Sequence, residues 1–396
     1  MKLKQFANPR FLEEIGRGSL ALLLARFEPE FTGHGLAVPA SALDDETFYR
    51  QVATMAVAGP GLPERFTEAL HGIETMATDE GRERLASAMA TARLRLERRP
   101  DATHADFATQ VLLAQPELFA HKQEEVRITG LTSFEYYGST GEDRSATFTP
   151  PDEETLRQMR AGMDGWLALH RGSEQRVTDL EAFELNEEWV FLIRRGDACR
   201  RMPMVEGERV MIRQFRPARD VVVAYSPRRD ELRLHGRSAR ELRMLRELFG
   251  WRLFGDLRRF SARRQFTLEP LRADGTEALM APEGCGIEKI ELREWEVQGE
   301  TDAWIWKAVE QREPAAVPAE GKLLRAVFEI RFTGEKCARP VQVRAGHQLR
   351  MSRHCDATAV HRWLTERGFR CAHKDGFNLG CTRMETDEWW ARNEGR

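Results

Sequence analysis

Apolar residues recur at close to helical spacing through the first 125 residues. The segments "NPRFLEEIGRGSLALLLARF", "DDETFYRQVATMAV", "LPERFTEALHGIETM", "DEGRERLASAMATARLRLERR" and "THADFATQVLLAQPELFAHKQEE" each place apolar side chains three or four positions apart, divided by "AGPG" and "RRPDA". This predicts a mainly α-helical N-terminal domain over 1–150. From "EEVRITGLTSFEYYG" the period shifts toward two; the loop "GSTGEDRSATFTPPDEE" follows, with one more helix near "EETLRQMRAGMDGWLALHRG". The pair Pro150-Pro151 marks the domain boundary.

Beyond it, "EEWVFLIRRG", "ERVMIRQFRP", "DVVVAYSP" and "ELRLHG" are short alternating or β-branched runs split by turn residues, which predicts a meander of strands over 185–236. The helix "SARELRMLRELFG" follows, with Ser238 and Glu241 in capping-box spacing and Gly250 as its stop. Later, "AVFEIRF" and "VQVRAGHQLRMS" precede the helix "DATAVHRWLTERGF", opened by Asp356 and ended at Gly368. Residues 222–254 and 326–369 thus read as two β-β-α units. The expected fold is α+β: an N-terminal helical domain, a basic α+β domain over 151–312, a Pro/Ala-rich linker or long loop at 313–321, and a C-terminal β-β-α unit over 322–396.

Charge changes this picture. Residues 1–193 carry a net −12, residues 194–264 carry +11, and the remainder −2. The basic block contains twenty arginines and no lysine, against nine carboxylates. Polyanion binding needs several cations on one surface, because each neutralised phosphate releases counterions and the contributions accumulate. The candidate contacts are Arg194, Arg195, Arg200, Arg201, Arg209, Arg213, Arg216 and Arg219 on adjacent predicted strands, with Arg258, Arg259, Arg263 and Arg264 after the helix. Trp251, Phe254, Phe260 and Phe266 lie among them, where flat side chains can stack on bases or pack in a core.

Other chemistry is sparse. Cys355, His361, Cys371 and His373 are spaced C-x5-H and then C-x-H, without the close pairs that seed a zinc site, and His361 reads as a solvent-facing helix residue. "GRGSLA" formally fits a dinucleotide fingerprint, but no strand precedes it. The one acidic-x-Lys triplet, Glu320-Gly321-Lys322, lies at the end of the Pro/Ala segment, with Glu329 beyond it. No catalytic residue and no cofactor are assigned.

The reading is a nucleic-acid-binding or nucleic-acid-associated subunit making sequence-nonspecific phosphate contacts to DNA or RNA, with a protein partner engaged through the acidic N-terminal domain. The alternatives are a scaffold or adaptor of a multiprotein assembly such as a phage-defence complex, docking by charge without nucleic acid, and a degenerate nuclease. No apolar run approaches the roughly 20 residues that span a bilayer, so no membrane partner and a cytoplasmic location are expected.

Overall fold

A computed structural model describes residues 6, 8–40, 43–57, 61–96, 102–139, 148–171, 176–185, 187–206, 209–260, 264–299, 303–307, 317–351 and 355–371. The chain divides into two compact units, 1–130 and 131–396.

The first unit is helical: α1 (Pro9–Ile15), α2 (Arg17–Gly33), α3 (Asp45–Val57), α4 (Glu64–Met76), α5 (Asp79–Thr91), α6 (His104–Ala114) and α7 (Pro116–Thr129). Two expected helices are each broken in two. Gly16, at φ 78°, separates α1 from α2, and Pro116 opens α7 directly after α6. The glycines of "GRGSLA" therefore belong to a helix junction, as the missing strand implies. Caps follow the sequence: Asn8, Thr78 and Thr103 each accept a backbone N–H. Phe31, Phe48 and Phe66 are fully enclosed in the main core of this unit.

The second unit holds β1 (Ser133–Gly138), α8 (Glu153–Arg171), β2 (Val177–Leu185), β3 (Glu188–Gly196), β4 (Arg200–Glu206), β5 (Arg209–Phe215), β6 (Ala218–Ser226), β7 (Glu231–His235) and α9 (Ala239–Phe254). After α9 come α10 (Pro270–Ala273), β8 (Ile287–Gln298), β9 (Ala303–Lys307), β10 (Lys322–Phe332), β11 (Arg339–Arg344), β12 (Gln348–Met351) and α11 (Ala357–Glu366). Ten strands form one antiparallel sheet in the order β2-β3-β6-β7-β1-β12-β11-β10-β8-β9, and β4-β5 form a separate ribbon. Pro150-Pro151 lies inside this unit, just ahead of α8. The segment "VQVRAGHQLRMS" holds two strands rather than one, because Gly346 adopts φ 119° between them. Of 313–321, residues 313–316 lie outside the described residues.

Helices cover opposite faces of the sheet in its two halves. Consecutive strand residues point to opposite sides. Tyr136 joins the core of β8, β10, β11, β12 and α11, while its neighbour Tyr137 joins that of β3, β6, β7, α8 and α9. Phe328 meets Trp363 edge-on in the first core, and Phe191 meets Phe249 in the second.

Helix α9 departs from expectation at both ends. Ser238 is its N-cap but makes no side-chain capping bond, and Glu241 is turned into the protein, where Arg195 binds both its oxygens at 2.6 and 2.9 Å. A buried guanidinium holds that carboxylate more strongly than an exposed N-terminal amide would. Gly250 does not stop the helix, which runs on to Gly255 in the left-handed conformation. A Cβ on Gly250 would stand 2.6 Å from the carbonyl oxygen of Asp256, so glycine is needed there for close approach of the returning chain.

Candidate nucleic-acid interface

The arginine-rich segment is divided by the sheet. Strand β6 starts beside Arg195 and Gly196 and ends at the turn that contains Asp230. Its nine residues put the two ends roughly 25 Å apart along the strand. One group of arginines gathers at the first end, around the root of the β4–β5 ribbon. Arg258 and Arg259 lie at the second end, and Arg264 precedes Gln265, which hydrogen-bonds the β11–β12 turn. Arg263 lies outside the described residues.

Several candidates are engaged within the chain. Arg195 and Glu241 form a pair only 2% and 3% exposed, so Arg195 is closed to an external ligand. Arg259 is buried against Asp230 at 2.7 Å with its guanidinium over Phe254. Arg194 binds Asp220 at 3.1 Å and Arg219 lies 3.6 Å from Asp197, whose carboxyl is held below its usual range by the Ala198 amide and then by Arg219. Glu188 accepts from Arg229 and Arg233. These carboxylates belong to the same unit as the arginines. Residues 131–193 carry a net −8, leaving −4 for the helical unit of residues 1–130. The expected N-terminal domain, residues 1–150, holds a net −6, half of the acidity of residues 1–193.

The aromatic candidates are mainly core. Phe260 and Phe266 are 2% and 0% exposed. Trp251 is half-buried against the α8–α9 core, and the Arg252 guanidinium lies 3.8 Å over its ring. None of the three presents a free face to a base.

What remains open is the ribbon and its root. Arg200, Arg201, Arg209, Arg213 and Arg216 are exposed along it. Arg200 stands 4.0 Å from Asp197, while Arg216 reaches the Asp197 carbonyl at 3.5 Å. Arg201 and Arg209 have no carboxylate partner among the described residues, and neither do exposed Arg237 and Arg240 at the start of α9. Arg237 is felt electrostatically by Arg219, which places it at the same root. Sequence reasoning missed β4 and Arg237. The near-mirror apolar runs flanking "EGE" in "MPMVEGERVMI" were the available signal for a hairpin.

The metal reading gains nothing. Among the described residues no three His, Cys, Asp or Glu side chains gather as a metal site. His361 is buried rather than solvent-facing, with Nδ1 3.4 Å from Arg370 and Nε2 3.5 Å from the Tyr136 hydroxyl. An arginine only donates, so Nδ1 accepts and the neutral ring carries its proton on Nε2. Arg370 in turn binds buried Glu231. Burial raises the Cys371 thiol pKa and keeps it protonated. Cys355 is half-buried, and His373 lies outside the described residues. Glu329 is bound by Arg293 at 2.7 Å, and Arg272 donates to the carbonyls of Glu320 and Gly321.

Compared with protein-family models and with curated proteins, the sequence matches none. Among the described residues no helix is long and apolar enough to cross a membrane.

Proposed function

We propose that this chain is a nucleic-acid-binding subunit that grips phosphates through the β4–β5 ribbon and its root, in a cytoplasmic setting. The observation that carries the reading is the exposure of Arg201 and Arg209 on the ribbon, without in-chain carboxylates among the described residues, alongside Arg200, Arg213 and Arg216. Arg237 and Arg240 extend the cationic surface at the root. Arginine side chains on a strand supply charge without a base-reading constellation, so recognition is of backbone rather than sequence. The Arg258–Arg264 group, which the sequence places in the same surface, is left out of it.

Fluorescence anisotropy with a short labelled duplex and a matching single strand tests this across a salt series. Binding should weaken linearly on a log–log plot, by about 0.9 per neutralised duplex phosphate. R201E/R209E should weaken low-salt binding by roughly tenfold or more and flatten the slope by about two. R258E/R264E should stay within about twofold of wild type. Absence of wild-type binding at low salt, or equal losses in the two variants, rejects the proposal.

A further inference from the structure

Across β1, β12, β11, β10 and β8 the register lines side chains up in rows. One row reads Ser133–Arg350–Gln342–Val327–Glu294, and the next but one reads Glu135–Gln348–Arg344–Arg325–Glu296. Directly opposed residues share a face. The row between them, through Leu349, Val343, Ala326 and Trp295, points the other way, into the core that holds α11. Every residue of the two outer rows is at least partly exposed, so this half of the sheet keeps one polar face open. Charge on that face is sorted by strand. On β8 and β10 it is neutralised in place: Arg325 binds Glu294 at 3.0 Å and Glu296 at 3.1 Å, Lys289 binds Glu291 at 2.6 Å, and Arg293 binds Glu329. On β11 and β12, Arg344 and Arg350 are exposed and have no carboxylate partner among the described residues. Glu135, the acid of the same row on β1, accepts from the Tyr137 hydroxyl. Arg344 stands directly opposite Arg325, a placing of like charges that adds nothing to the sheet. Gln342 turns its oxygen to Arg325 at 3.4 Å, which leaves its amide hydrogens to donate elsewhere, and Gln348 lies 3.5 Å from the Ser133 hydroxyl.

We infer that Arg344 and Arg350 form a second phosphate-contact surface, on the open face of β11 and β12, for the backbone of a nucleic acid. Position and chemistry select this occupant. The two arginines sit diagonally on adjacent strands, about 7–8 Å apart at the backbone. Their guanidinium forks therefore reach one phosphate together or two in succession, each through paired N–H···O bonds. Strand β12 is paired along both edges, to β1 and to β11, which leaves an extended peptide no backbone to add to. A folded protein partner would need an apolar anchor, and Val327 is the one apolar side chain in the two rows. What the face offers is positive charge and hydrogen-bond donors, which suits a phosphate chain bound without regard to base. This surface is distinct from the ribbon: β4 and β5 lie between β3 and β6 in the chain, and β7 and β1 separate those strands from β12 in the sheet. The inference stands beside the ribbon reading and does not depend on it.

Binding of a short labelled duplex by the full chain, at low salt and across a salt series, tests this. R344Q/R350Q should weaken binding by roughly fivefold or more and flatten the log–log salt slope by about two. K289Q/R331Q removes the same charge from a cross-strand pair on β8 and β10 and should stay within about twofold of wild type. Because Arg344 and Arg350 are exposed, the circular dichroism spectrum and urea midpoint of R344Q/R350Q should match those of wild type. A second readout needs no variant: bound duplex should slow phenylglyoxal modification of Arg344 and Arg350 in the wild-type protein, followed by peptide mass, and leave Arg331 unaffected. A wild type that binds no duplex at low salt, equal losses in the two variants, an unchanged R344Q/R350Q, or no protection of the two arginines overturns the inference. A loss in R344Q/R350Q with R201E/R209E unchanged upholds it and rejects the ribbon reading. The opposite pattern rejects the sheet face and leaves the ribbon standing.

Discussion

His361 carries a testable pH dependence. Burial first, and then the nearby charges of Arg229 and Arg233, push its pKa down from 6.5 to about 3. The folded ring stays neutral while the unfolded chain takes up a proton below about pH 6.5. Its stabilising contribution is therefore complete above that pH and is lost as pH falls toward 3, at up to about 1.4 kcal/mol per pH unit. In urea unfolding, the stability advantage of wild type over His361→Gln should shrink by about 2 kcal/mol between pH 6.5 and about pH 4.5; an unchanged difference would show that the ring titrates normally. Sequence places this residue on a helix but not on its buried side. The apolar positions Val360, Trp363 and Leu364 are legible, yet α11 is covered widely enough that the residue between them is enclosed too. Arg195 and Arg259 show the same limit. An arginine buried with a carboxylate looks, in sequence, like one that faces a ligand, and only Glu241 and Asp230 arriving from elsewhere in the chain distinguish them.

At the scale of elements, periodicity and caps locate most helices, because an amphipathic stripe and a local side-chain bond are both written within a few residues. Asp356 caps α11 through the Ala359 amide as its position implies. Glycine is harder to read, since the same residue serves a left-handed turn or a tight approach. Gly250 is the second kind, which inverts the usual effect of substitution. In an ordinary helix interior Gly→Ala stabilises by roughly 1 kcal/mol. Here the added methyl meets the Asp256 carbonyl oxygen at 2.6 Å, and overpacking of about 1–3 kcal/mol wins. Thermal unfolding of Gly250→Ala should show a lowered midpoint; a raised one would mean that the return after Gly255 yields freely. Strand β4 is hidden for another reason: Pro203 argues against a strand, and a proline is tolerated there because, among the described residues, no further strand pairs with the ribbon's outer edges.

At the scale of the whole molecule, the helical and sheet regions are legible from the change of period, whereas the sharing of one sheet by distant segments is not. Sequence separates 151–312 from 322–396, yet β10 pairs with β8 across that division and β12 pairs with β1. A fragment of residues 1–130 has its own apolar cores and should unfold cooperatively in urea. A fragment of residues 131–312 keeps the α8–α9 core but loses the strands and helix that complete the other, and should unfold at lower urea than the intact unit. The reverse result in either fragment would contradict the two-unit division.

The position of β1 has a consequence for synthesis. It is the first strand of its unit, yet it lies in the middle of the sheet, with Ser133 bonded to His235, 102 residues later, and near Gln348, 215 residues later. On the ribosome this strand emerges long before either neighbour. Its tyrosines must wait, exposed or guarded by a chaperone, until β7 and then β12 have been made, so one flank of the strand can close well before the other.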